Sequence, residues 1–105
     1  MNIVNLTPHS LNLVTANGVV SVPPSGTVAR CATTSTPAGE VEGVPLVRTV
    51  YGEVAGLPDP ADGTLFVVSA LVRSAVPGRN DVASPGDLIR DGSGNVTGCR
   101  NLIVN

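Results

Sequence analysis

LNLVTANGVVSV, residues 11–22, decides the fold of this chain. Leu11 and Leu13 alternate with Asn12 and Val14, the two-residue period of a half-buried strand. Asn17-Gly18 tolerates positive φ and is a strong short-range hairpin signal. VVSV at 19–22 then returns with Val20 and Val22 on one face. The segment predicts two antiparallel strands joined by a tight turn.

The same reading extends in both directions. NIVNL at 2–6 predicts a first strand, and Thr7-Pro8-His9-Ser10 predicts the turn that follows it, because proline fixes its own φ and biases the preceding residue towards extended geometry. Pro23-Pro24-Ser25-Gly26 forms a rigid turn into TVARC, 27–31, a further strand. Residues 32–43 are polar and small and predict mainly a loop, with edge-strand character as the alternative. VPLVRTVYGEV, 44–54, is the longest strand candidate, in which Val44, Leu46, Arg48 and Val50 alternate with Pro45, Val47, Thr49 and Tyr51. After a loop at 56–64, LFVVS at 65–69 predicts a strand. Its continuation ALVRSAV predicts a short helix with Ser69 as N-cap. Residues 78–87 predict an irregular loop, and LIR at 88–90 with NVTGCRNLIV at 95–104 predicts a terminal hairpin around DGSG. The expectation is one β-rich domain spanning residues 1–105, all-β or β-rich α+β, a small barrel or sandwich of about seven short strands and one short helix.

Composition narrows function by exclusion. The chain has 105 residues, 42% of them hydrophobic, which excludes a disordered polypeptide. No apolar run reaches membrane-span length, and no signal peptide is apparent, so a cytoplasmic protein without a membrane partner is expected. Cys31 and Cys99 stand alone, without CxxC spacing, and are expected as free thiols. Tyr51 and Phe66 are the entire aromatic supply and net charge is −2. Both features argue against nucleic acid as partner. Charged residues make up only 13%, so a homo-oligomer or a polar Ser/Thr/Asn surface must cover the exterior.

No residue constellation points to an enzyme. His9 is the sole histidine, and neither a nucleophile motif nor a metal-binding pair accompanies it. Glu40-Val41-Glu42 only weakly resembles a catalytic acid pair, and DPADG and DGSGN lack calcium-loop spacing. No cofactor is expected. All six cations are arginine, each a planar fork suited to carboxylate or phosphate. Arg79 beside Asp81, and Arg90 beside Asp87 and Asp91, offer ordinary ion pairs as the alternative use of these forks.

NLTPH, PPSGTVAR, VPLVRTVYGEVAGLPDP, GTLFVVSALV, RNDVASPGDLIRD and GNVTGCRNL together span nearly the whole chain. In this pattern the chain resembles a family of small proteins encoded by bacteriophages and bacteria. The resemblance implies a phage or prophage origin and brings no substrate or catalytic residue. By analogy, small phage proteins without enzymatic motifs act as sponges for nucleotide signals of bacterial immunity. The leading expectation is therefore a non-enzymatic anti-defence sponge for a cyclic nucleotide or ADP-ribose derivative. Arg48, Arg73, Arg79, Arg90 and Arg100 are the expected phosphate contacts, Tyr51 packs base or ribose, and His9 is a polar contact. The alternatives are a structural or assembly protein of a phage particle, and a small hydrolase using His9 with Asp81 or Asp87.

Overall fold

A computed structural model describes residues 2–105. Its elements run β1 (Asn2–Asn5), β2 (Leu11–Thr15), β3 (Gly18–Val22), β4 (Arg30–Val41), β5 (Val44–Ala55), β6 (Thr64–Val67), α1 (Ala70–Ala75), β7 (Val82–Arg90) and β8 (Val96–Val104). The fold is β-rich, with 58% strand and 6% helix. Six strands form one sheet that curls into a half-barrel, in the order β1-β6-β7-β8-β2-β3. β4 and β5 form a separate two-stranded ladder.

The 11–22 hairpin forms as its residues require. Thr15 pairs with Gly18, so Ala16 and Asn17 make the turn and Gly18, at φ 116°, takes the position a side chain disfavours. The Thr15 hydroxyl donates to Gly18 O at 2.7 Å and locks the loop. β8 is inserted between β7 and β2, antiparallel to the first and parallel to the second. β1, β6 and β7 run parallel to one another.

The helix obeys its expected cap. Ser69 is extended, and its hydroxyl accepts from Val72 N at 3.3 Å. Val72 is buried and lies in a core with Leu6, Ala29, Phe66, Val68 and Val82, against which Val4, Cys31, Val54, Leu57 and Val76 pack. Asn105 closes the other end of the helix. Its amide donates to the carbonyls of Arg73, Val76 and Arg79 at 3.2, 2.9 and 3.2 Å.

Two expected loops are strands. Residues 32–41 belong to β4, whose Thr33, Thr34 and Thr36 are β-branched and suit a pleated ladder without any apolar alternation. The turn behind it was hidden in Glu42-Gly43, where φ is 49° and 80°; two positive values in sequence give the type I′ hairpin. Conversely, residues 27–29 are not strand, because β4 begins at Arg30. Residues 82–87 also belong to a strand, β7, despite Pro85-Gly86. The β6 ladder with β7 ends at Val67–Ala83, so the missing N–H of Pro85 faces an edge that has already become free.

The β4–β5 ladder projects as an arm. Of its strand residues only Cys31 and Val54, near the root, are not exposed. The molecule measures 51 × 38 × 22 Å with a radius of gyration of 16.1 Å. A compact chain of this length has about 13 Å. Its accessible surface is 6738 Å², whereas a compact protein of 10.6 kDa exposes about 5,500 Å².

Candidate functional site

The turn carrying His9 is built by a neighbouring asparagine. Asn5 is 1% exposed, and its amide donates to His9 O at 2.7 Å and Val22 O at 3.1 Å. Its Oδ1 accepts from Thr7 N at 3.0 Å and from the Thr7 hydroxyl at 2.6 Å. Asn5 O also accepts from Ser25 N at 2.9 Å. One side chain thus folds the 7–10 turn and ties the end of β1 to the end of β3. His9 contributes its carbonyl to this network and leaves its ring exposed.

That turn forms one wall of an open groove of about 730 Å³. Leu11 and Asn12 of β2, Leu88 of β7 and residues 96–99 of β8 supply the other walls, with Ser69 at the start of the helix. The lining is mainly apolar, and its polar groups are hydroxyls, amides and the His9 ring. Asn12 is itself positioned by its amide donating to Thr97 O at 3.1 Å. Cys99 is buried, and desolvation raises its thiol pKa above the ordinary value. Both cysteines are free thiols. A second cleft of about 250 Å³ lies at the root of the arm, and Pro8 and Ser69 border both spaces.

The seven expected contact residues do not gather in the groove; His9 alone lines it. Arg79 makes a bidentate pair with Asp81, Nε to Oδ1 at 2.7 Å and Nη2 to Oδ2 at 2.8 Å, and donates to Pro58 O at 2.9 Å. This pairing raises the Arg79 pKa and holds the Asp81 carboxyl below its ordinary range. Arg73 donates from Nε to the Ser84 hydroxyl at 2.8 Å and from Nη1 to Asn105 Oδ1 at 3.2 Å. Both guanidinium groups hold the fold together.

The other arginines are more open. Arg100 lies 3.6 Å from Asp87, with both side chains more than half exposed. That pair replaces the expected Arg90–Asp87 contact. Arg90 instead donates to Gly94 O at 2.9 Å, and its register partner is Val96 of the groove wall. Asp91 accepts from Ser93 N and Asn95 N at 2.8 and 3.0 Å, which lowers its pKa and closes the β7–β8 turn. Arg48 and Tyr51 sit on the exposed arm.

The alternative acid and base sites lose their geometry. Asp81 is occupied by Arg79 and Asp87 lies beside Arg100, so neither is hydrogen-bonded to His9. Glu40 is in β4 whereas Glu42 occupies the turn at φ 49°, so they do not form a pair on one strand face. Among the described residues no three metal-ligating side chains cluster, and no helix is long and apolar enough to cross a membrane. Sequence reasoning missed the groove residues Asn12, Leu88, Asn95 and Thr97, because only the insertion of β8 between β7 and β2 brings them together. No protein-family model matches the sequence, and no curated protein and no solved structure matches it either.

Proposed function

We propose that the protein is a non-enzymatic, homo-oligomeric binding protein of phage origin that sequesters a phosphate-bearing nucleotide signal in the host cytoplasm. The observation that carries this reading is the groove bounded by the His9 turn, β2, β7 and β8. Its volume suits a small molecule. Asn12, Asn95 and Thr97 offer the hydrogen-bonding groups that a nucleobase or ribose needs, and the apolar walls offer packing area. Arg90 does not line the groove, but it pairs in register with Val96 of the wall and keeps an exposed guanidinium for a phosphate. No hydrogen bond joins a nucleophile to a base among the lining residues, which supports binding without turnover.

The experiment is native mass spectrometry of the purified protein, then denaturation and identification of any released compound. A phosphorylated compound in fixed ratio to subunits, recovered intact, supports sequestration. Arg90→Ala and His9→Ala are then expected to reduce that occupancy. Ligand-free protein that shows no thermal shift with cyclic nucleotides or ADP-ribose derivatives would overturn the reading.

The projecting arm favours a second reading, a structural or assembly protein of a phage particle. It predicts higher oligomers that grow with concentration and do not respond to nucleotides.

A further inference from the structure

We propose that one face of the β4–β5 arm is a homodimer interface, packed against the same face of a second copy. The proposal rests on the homo-oligomeric part of the reading above and is independent of the ligand. On β5, Val44, Leu46, Arg48 and Val50 project from one face. Val41 joins them by pairing with Val44, and Thr36 and Thr34 pair with Arg48 and Val50. The four aliphatic side chains are between 41% and 60% exposed. They form an apolar stripe interrupted by a single charge.

Three observations select a second copy as the occupant. First, the chain exposes about 1,200 Å² more than a compact protein of its mass, given its 6738 Å² surface. A stable dimer needs about 800 Å² from each partner, so the excess is large enough to supply one such interface. Second, a two-stranded ladder is marginal by itself in water, yet this one runs twelve residues on each strand. A second layer of strands would give it the sandwich that an apolar sheet face requires. Third, the stripe is nearly uniform in chemistry, so it complements itself across a two-fold axis, the commonest closed symmetry.

The geometry favours the face over the edges. Pro37 lies in β4 and Pro45 in β5, each removing a backbone donor, and Glu40 and Glu42 flank the tip. These are the features by which exposed strands resist edge-to-edge pairing.

The test is sedimentation velocity of the full chain over two decades of concentration, comparing the parent with Leu46→Asp/Val50→Asp. A reversible dimer is expected for the parent, and association about thirty-fold weaker or worse for the double variant. Thr49→Asp, on the opposite arm face, should leave the dimer intact and serves as the folding control. Amide exchange provides an independent reading: arm protection should rise with concentration in the parent and stay flat in the double variant. A parent that remains monomeric, or a dimer insensitive to Leu46→Asp/Val50→Asp but broken by Val20→Asp on β3, would overturn the proposal. A monomer that still releases a phosphorylated compound on denaturation would overturn this interface and leave sequestration standing. A dimer that binds no nucleotide would do the reverse.

Discussion

The Arg73 guanidinium donates to the hydroxyl of Ser84 at 2.8 Å, joining the only helix of the described residues to the middle of the sheet. Ser84 is completely buried, and this bond satisfies its oxygen. Arg73 is thereby a structural residue, since its second nitrogen is held by Asn105. Arg73→Ala is expected to destabilise the protein by about 1–3 kcal/mol, because it strands a buried hydroxyl. Ser84→Ala should cost less, because the half-buried guanidinium can turn to water. Urea unfolding of the two variants checks the order.

Asn5→Ala is expected to be among the most damaging single substitutions. It removes four side-chain hydrogen bonds, taking the Asn5 contact from Val22 O and Thr7 N and leaving His9 O with only the Thr7 hydroxyl at 3.0 Å. A loss of about 2–4 kcal/mol is expected from a buried polar network of this kind. Chemical denaturation measures it. Amide exchange should locate the loosening at residues 5–10 and 22–25.

The Arg79–Asp81 pair gives the protein an acid-sensitive component. Asp81 has a lowered pKa in the folded state, held there first by its hydrogen bond from Arg79. Its stabilisation is therefore complete above the unfolded carboxylate pKa and is lost as pH falls through that value towards the folded one. Asp81→Asn should cost about 1–2 kcal/mol at neutral pH. The gap between parent and variant should shrink at pH 3, which denaturant midpoints at the two pH values would show. Asp91, with its pKa lowered by the Asn95 and Ser93 amides, adds to the same trend in the parent.

Glu42→Asn should strengthen the arm. Glu42 holds φ 49° in a turn whose next residue, Gly43, holds 80°, and asparagine tolerates that left-handed region better than glutamate. A gain of about 0.5–1 kcal/mol is expected. Slower exchange of the β4–β5 amides is the readout.

The parts of the fold legible in the sequence were those where local chemistry and tertiary context agree. The Asn17-Gly18 hairpin, the Ser69 cap and the 44–54 strand all follow from their own residues. Only the start of β4, Arg30-Cys31, was legible as strand, and the rest read mainly as loop because nothing in ATTSTPAGE alternates; from Ala32 onward it is exposed on both faces and has no core side to mark. The start of β7 escaped for the opposite reason. Val82, Ala83 and Ser84 are wholly buried, but they run into Pro85-Gly86, whose ordinary meaning is a turn. Within the site, His9 was legible as a turn residue, whereas the groove that its turn borders emerges only in the folded chain. The arginines were legible only as chemistry. Which forks are engaged inside the fold depends on Ser84, Asn105 and Pro58, and no sequence spacing reveals those partners.

The place of β8 in the sheet also sets the order in which the sheet closes as the chain is made. Residues 96–104 lie between β7 and β2, so no strand ladder bridges the two halves of the sheet until they are made, and only the Asn5 bond to Val22 O links β1 with β3. The 11–22 hairpin and the arm need only neighbours close in sequence and can zip on the microsecond scale of local hairpins. The Leu13–Cys99 pairing must wait for the ribosome, and then for a long loop to close. Until β8 arrives, the nascent chain exposes the flank of β2 together with Leu11 and Leu13, a window in which a chaperone or a neighbouring polysome can capture it.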